Sequence, residues 1–502
     1  MTELLRWPFD GKLIGRKKNA LRRELLAKPG LVEKRIAVLG GSTTHDVVGL
    51  MELFLLDNGI RPTFYESEYN QWWEDGVFGN SELDAFRPDV VYVHTSVRNI
   101  KEWPAVGAQP SEDGVEPVIA KWRAVWEKVS EKFKCPIIQN NFDYLPYRLL
   151  GNLDGTDPRG RVNFVRRLNA AFAEYAHTHE GIYINDTCWQ AADFGLSRWH
   201  DEAYWCLYKY AMSKEALPTV GFNAVNIVKA IFGKNKKALA LDLDNTLWGG
   251  IVGDDGPENL ELGTETATGQ CYTEFQQYLK DLSRTGVILN VISKNEPENA
   301  KAGIAHPQMV LKEEDFISIK ANWQPKSENL KTMAQELALL PESFVFVDDN
   351  PAEREIIRQQ VPDAAVPEVG QVESYISAVD HGGWFEPVKL SGDDLKRNVM
   401  YKENAKRAEL QSSFTDYSAY LESLDMKGTI KPFEPIYMSR LAQLTNKSNQ
   451  FNLTTRRYTQ EEIEKTAADG NFITRYGKLE DRFGDNGVVA ISVGEMKGPV
   501  CQ

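Results

Sequence analysis

Short, uninterrupted apolar runs alternate with amphipathic stretches along most of the chain. RIAVLGG (35–41), PTFYES (62–67), DVVYVHTS (89–96), CPIIQNN (135–141) and GIYINDT (181–187) read as buried strands. Between them, DVVGLMELFLLDNG (46–59), VIAKWRAVWEKVSEKF (118–133) and VNFVRRLNAAFAEYAHTH (162–179) repeat apolar positions at helical spacing. Continuous apolar strands separated by amphipathic helices predict a mainly parallel sheet covered on both faces. The pattern then restarts. KALALDLD (237–244), GVILNVIS (286–293) and SFVFVDD (343–349) are three apolar runs ending in polar or acidic residues. They alternate with the helix-like TEFQQYLKDLSRTG and SENLKTMAQELALL. The expected fold is therefore α/β, with two successive doubly wound, Rossmann-like three-layer units.

The boundaries follow from the same pattern: a helical lead over 1–30, a first α/β domain over 31–225 and a second over 236–380. Leu395, Val399, Ala405, Leu410, Phe414, Tyr417 and Leu421 space a helical linker over 390–427, and a mixed α+β segment fills 428–502. A length of 502 residues suits two to four domains of roughly 100–200 residues each. No internal repeat or low-complexity tract stands out.

Charge narrows the function classes. Lys and Arg total 58 against 72 Asp and Glu, a formal net charge of −14, which disfavours sequence-independent binding of nucleic acid. No window approaches the ~20 apolar residues of a membrane span, and the N-terminal residues lack the apolar core of a signal peptide. The five cysteines (Cys135, Cys188, Cys206, Cys271 and Cys501) are scattered and never spaced C-x-x-C. That argues for reduced thiols and a cytoplasmic location.

The chemistry concentrates in the second α/β unit. Asp242-Leu243-Asp244-Asn245-Thr246 ends its first strand; Ser293, followed by Lys294 and Asn295, ends the next. Lys326 precedes a helix, and Asp348-Asp349 end the third strand. Ligands of open α/β sheets bind beyond the carboxyl ends of the strands, where these groups collect. A strand-end carboxylate can attack phosphorus and split one displacement into two easier ones. Another carboxylate nearby can protonate the leaving oxygen and later deprotonate water. Four clustered aspartates, Asp242, Asp244, Asp348 and Asp349, require a cation among them, and an oxygen-only donor set suits Mg²⁺. Ser293 and Lys326 can hold the phosphoryl oxygens as charge develops there.

These motifs resemble the haloacid dehalogenase (HAD) superfamily, and DLDNTLWGGIVGDDG, VISKNEP and FVFVDDNPAEREII resemble its FkbH-like branch more narrowly. The resemblance implies Asp242 as nucleophile and Asp244 as general acid/base. Thr246, Ser293, Asn295 and Lys326 would hold the phosphoryl group. Mg²⁺ would lie among Asp242, Asp244 (through its main-chain carbonyl), Asp348 and, behind it, Asp349. The short stretch between Thr246 and Cys271 leaves no room for a large cap. The expected activity is a Mg²⁺-dependent phosphohydrolase or phosphotransferase acting on a phosphorylated small metabolite. The branch also includes proteins that load a glyceryl unit from 1,3-bisphosphoglycerate onto an acyl carrier protein in polyketide or surface-glycan biosynthesis. That route needs a well-placed thiol, and position 243 is Leu, so it ranks second. A non-catalytic, metal-binding interaction module ranks third.

Weaker signals flank this set. Gly40-Gly41-Ser42-Thr43-Thr44 follows a strand and resembles the first motif of SGNH hydrolases, with HTSVRN (94–99) and QNNFD (139–143) as faint later ones. Ser42 and His200 are its candidate site residues, but Ser197 stands three positions before His200 where an acid is expected. An inactive SGNH-like scaffold is the favoured reading. His45 and His94 lie at strand ends and read as structural. Trp72, Trp73 and the aromatics of 199–210 suit core packing as well as a ligand groove. Residues 444–459 and 481–495 resemble part of a GNAT-type acyltransferase, with Asn446, Asn449 and Asn452 as candidate binding groups. By that resemblance a Gly-rich turn that cradles a coenzyme A pyrophosphate would come next.

Overall fold

The structure is a computed structural model and describes residues 2–107, 113–390, 392–412, 414, 416–447, 458, 460–497 and 500–501. Contacts divide the chain into two units, residues 1–237 with 365–390, and residues 238–364 with 391–502.

In the first unit, β1 (Val32–Gly40), β2 (Ile60–Glu66), β3 (Val90–His94), β4 (Ile137–Asn140) and β5 (Ile182–Asn185) form one parallel sheet in the order β2-β1-β3-β4-β5. The two faces of β1 feed separate cores because alternate side chains point to opposite sides. Ile36 and Val38 join the core that includes the helices Gly11–Leu26, His45–Asp57 and Leu217–Ile231. Ala37 and Leu39 join the one that includes Glu116–Phe133 and Arg161–Thr178. The strand order reverses direction between β1 and β3, which places Gly40-Gly41-Ser42 at the topological switch point.

Contacts group the segment 365–390 with this first unit, whereas the pattern ends the second domain at 380. Backbone pairing explains the return: Lys236 N donates to Trp384 O at 2.9 Å. Lys229 Nζ donates to Gly383 O at 3.2 Å, and Asn235 donates to Glu386 O.

In the second unit, β6 (Ala238–Leu241), β7 (Ile288–Ser293), β8 (Phe316–Ala321) and β9 (Phe344–Val347) form a parallel sheet in the order β8-β7-β6-β9. The pattern anticipates β6, β7 and β9. It misses β8, an edge strand in which only Phe316 is buried. β6 lies between β7 and β9, so the polar ends of all three adjoin. Between Thr246 and the helix Ala267–Arg284 stand only a short helix, Val252–Asp255, and a single 3-10 turn, Pro257–Asn259.

Beyond the helices Gly392–Ser412 and Tyr417–Ser423, the chain forms an antiparallel sheet, β10 (Lys427–Lys431), β11 (Phe472–Asp481), β12 (Gly484–Lys497) and β13 (Val500–Cys501). Leu441, Ile463, Tyr476 and Val488 make a small core of its own. Asn449 and Asn452 lie outside the described residues, as does the side chain of Asn446. Among the described residues no helix is long and apolar enough to cross a membrane.

Candidate active site

Asp242 leaves β6 with its N–H donating to Val347 O at 3.0 Å, so the ladder between β6 and β9 carries its side chain to the strand ends. Asp348 and Asp349 follow β9 directly. Carboxylate oxygens of Asp242, Asp348 and Asp349 lie within 4.8 Å of one another. Lys326, on the first turn of the helix Lys326–Glu336, places Nζ 2.8 Å from Asp242 Oδ2 and 2.6 Å from Asp348 Oδ2. Lys326 and Asp348 are both buried.

Burial dominates the electrostatics. The Asp348 carboxyl is pushed up to about 7 by burial and then by the negative charge of Asp242. The same causes raise Asp349. Burial alone would push the Lys326 ammonium down, but Asp242 and Asp348 together hold it above the usual lysine value.

The sequence expectation of four converging carboxylates becomes three. Asn245 turns the backbone with a φ of 54° directly after Asp244, so the strand-face alternation does not extend that far. Asp244 Oδ1 accepts from Trp248 Nε1 at 2.9 Å and Val252 N at 3.0 Å, and Oδ2 accepts from Asn295 Nδ2 at 2.9 Å. Burial raises the Asp244 carboxyl above its ordinary value. Asn295, anticipated at the phosphate, is thus committed to Asp244. Thr246 Oγ1 accepts from Asp349 N at 3.2 Å and so fixes the turn after β9. Ser293 ends β7, buried, with its carbonyl accepting from Asn322 N at 3.1 Å.

Two residues escaped the sequence reading. Trp248 carries no recognisable motif role, yet its indole reaches Asp244. Arg354 Nη1 donates to the main-chain carbonyls of Asp348 at 2.8 Å and Asp349 at 2.7 Å, steadying the paired aspartates.

Asp242 Oδ1 is buried and has no hydrogen-bond partner among the described residues. A buried carboxylate oxygen left unpaired is costly. With Asp348 and Asp349 beside it, the donor set is hard, anionic and all-oxygen, which fits a small divalent cation.

Residues 35–229 match the family model described as FkbH, N-terminal domain. Over these residues the chain is similar to FkbH proteins. A crystal structure of the N-terminal part of a Bacteroides fragilis protein, containing a phosphatase domain complexed with Mg, is similar at 28% identity and a TM-score of 0.69. That similarity covers 74% of this chain and 99% of the other. The C-terminal catalytic domain of a Streptococcus pneumoniae peptidoglycan O-acetyltransferase, with a methylsulfonyl adduct, aligns at 15% identity over 41% of this chain and 96% of its own. Its TM-score of 0.24 is too low to indicate a shared fold. No curated protein matches the chain.

The matched region, residues 35–229, holds the second candidate pair. Ser42 is buried and its hydroxyl has no hydrogen-bond partner among the described residues. His200 Nε2 lies 2.7 Å from Tyr144 O and 3.4 Å from Asp143 Oδ2, while Nδ1 has no hydrogen-bond partner among the described residues. The acid beside His200 is therefore Asp143, from the QNNFD run. Asp193 pairs with His381, and Asp201 caps the helix Glu202–Tyr208. His94 is buried against Tyr92 and Asn140, and burial pushes it down to about 4, in keeping with a structural role. Trp72 stacks on Trp122 and belongs to the core.

Proposed function

We propose that the second unit is a Mg²⁺-dependent, HAD-type phosphohydrolase or phosphotransferase that works through an aspartyl phosphate on a phosphorylated small molecule. The observation that carries this reading is the triad Asp242, Asp348 and Asp349, with the Lys326 ammonium against two of its members and one buried carboxylate oxygen unpartnered. The Mg in the Bacteroides fragilis structure supports the choice of ion. Asp242, Asp348 and Asp349 would hold Mg²⁺, which supplies charge neutralisation for the phosphoryl oxygens.

A carboxylate oxygen of Asp242 attacks phosphorus, and the ester P–O bond breaks. Its electron pair leaves on the ester oxygen, which takes a proton from Asp244. Water then attacks the phosphorus and gives a proton back to Asp244. The bond from Asp242 to phosphorus breaks, the pair returns to the carboxylate, and inorganic phosphate departs. Lys326 and Ser293 stabilise the phosphoryl oxygens throughout. The test is the full chain with Asp242→Asn on a panel of phosphate monoesters. Turnover should all but vanish with the fold intact, EDTA should silence the native chain and Mg²⁺ should restore it. Turnover retained by Asp242→Asn would refute the assignment.

A further inference from the structure

The carboxylate of Asp244 is held asymmetrically. Oδ1 receives two N–H donors, from the Trp248 indole and the Val252 backbone. A carboxylate oxygen has two in-plane lone pairs, so both on Oδ1 are engaged. Oδ2 receives one donor, from Asn295, and keeps one lone pair. The donors are themselves fixed. Trp248 is fully buried, and its ring lies so close over Gly303 that a Cβ there would come within 2.7 Å of the ring. Gln276 Nε2 donates to Leu247 O at 2.6 Å and anchors the preceding residue. Asn295 is buried at the start of the loop after β7.

We infer that Trp248 and Asn295 are positioning residues that clamp the Asp244 carboxylate so that Oδ2 alone exchanges the proton with the leaving oxygen and with the attacking water. The inference rests on the proposed phosphatase reading and adds to it the atom that carries the proton and the groups that aim it. A residue that acts only by holding the fold would slow all substrates alike. A residue that aims a proton donor matters most where the leaving group needs the proton.

The experiment compares kcat/KM of the full chain, Trp248→Phe and Asn295→Ala on glycerol 1-phosphate and on p-nitrophenyl phosphate. The alkoxide of the first leaves poorly without a proton; the nitrophenolate of the second leaves readily. Each variant should lose about ten-fold or more on the alkyl ester beyond its loss on the aryl ester. Acid-quenched protein should also show more covalent phosphate than native, because water is activated by the same oxygen. Equal losses on both esters at an unchanged melting temperature would overturn the clamp, whereas turnover by Asp242→Asn would overturn the underlying reading instead. A measurement independent of turnover is the Trp248 indole proton, assigned by its disappearance from the NMR spectrum of Trp248→Phe. It should resist solvent exchange in the native chain and shift in Asp244→Asn; an unprotected, unshifted proton would also overturn the clamp.

Discussion

Lys326 Nζ and Asp348 Oδ2 lie 2.6 Å apart, with the lysine side chain 4% exposed and the aspartate 0%. Breaking a buried ion pair by removing one partner costs about 3–5 kcal/mol, because the other charge is left uncompensated. Lys326→Met should therefore lower the unfolding free energy in EDTA by an amount of that order, with a matching fall in the denaturant midpoint. Saturating Mg²⁺ should recover part of the loss by binding only the folded chain. Urea unfolding of both proteins with and without Mg²⁺ checks this, and equal midpoints in EDTA would contradict it.

The raised carboxyl of Asp348 makes the cation-free fold pH-sensitive. Its folded value, about 7, lies above the ordinary 3.8, so the folded state binds this proton more tightly than the unfolded chain does. Stability from this group is fully present below about pH 4 and is lost as pH rises through 7, at up to about 1.4 kcal/mol per unit. Asp244 and Asp349, also raised by burial, act in the same direction. In EDTA the native chain should lose stability from pH 5 to pH 8 relative to Asp348→Asn. Denaturant titrations at unit pH intervals measure the difference. Mg²⁺ binding, which needs the deprotonated carboxylates, should strengthen over the same interval.

Much of this architecture was legible in the sequence, for identifiable reasons. Fully buried parallel strands such as ALAL before Asp242 and FVFV before Asp348 read as apolar runs, and their acidic ends mark the carboxyl edge. β8 escaped because FISIKA is a half-buried edge strand, with Lys320 paired to Glu336 near the surface. The aim of Asp244 was not legible because it depends on the left-handed turn at Asn245 and on donors from Trp248 and Asn295. Asp143 was hidden as the neighbour of His200 because the two meet only through the fold. The return of 365–390 to the first unit rests on backbone bonds such as Lys236 to Trp384, which no periodicity reveals.

Lys229 tests that return. It is 3% exposed, and Nζ donates to Asn226 Oδ1 at 2.9 Å and to Gly383 O at 3.2 Å, both uncharged. Burial, and then the charge of Lys236, pushes its ammonium down to about 7 from 10.5. The unfolded chain therefore binds this proton more tightly, and stability rises with pH between about 7 and 10. Lys229→Met keeps the apolar stem and removes the charge. It should flatten the rise in unfolding midpoint between pH 7 and pH 9; an unchanged slope would show that the lysine is solvated.

Arg354 makes the last prediction. Its guanidinium donates to the carbonyls of Asp348 and Asp349, holding the turn that presents both aspartates. Groups that orient metal ligands from behind typically cost 10–100-fold in metal affinity when removed. Arg354→Met should weaken Mg²⁺ binding by roughly that factor, with KM for a phosphate ester at saturating Mg²⁺ little changed. Calorimetric titration of Mg²⁺ into the full chain, beside the Mg²⁺ dependence of the rate, separates the two effects. Native Mg²⁺ affinity in the variant would mean that the turn after β9 holds its shape without the arginine.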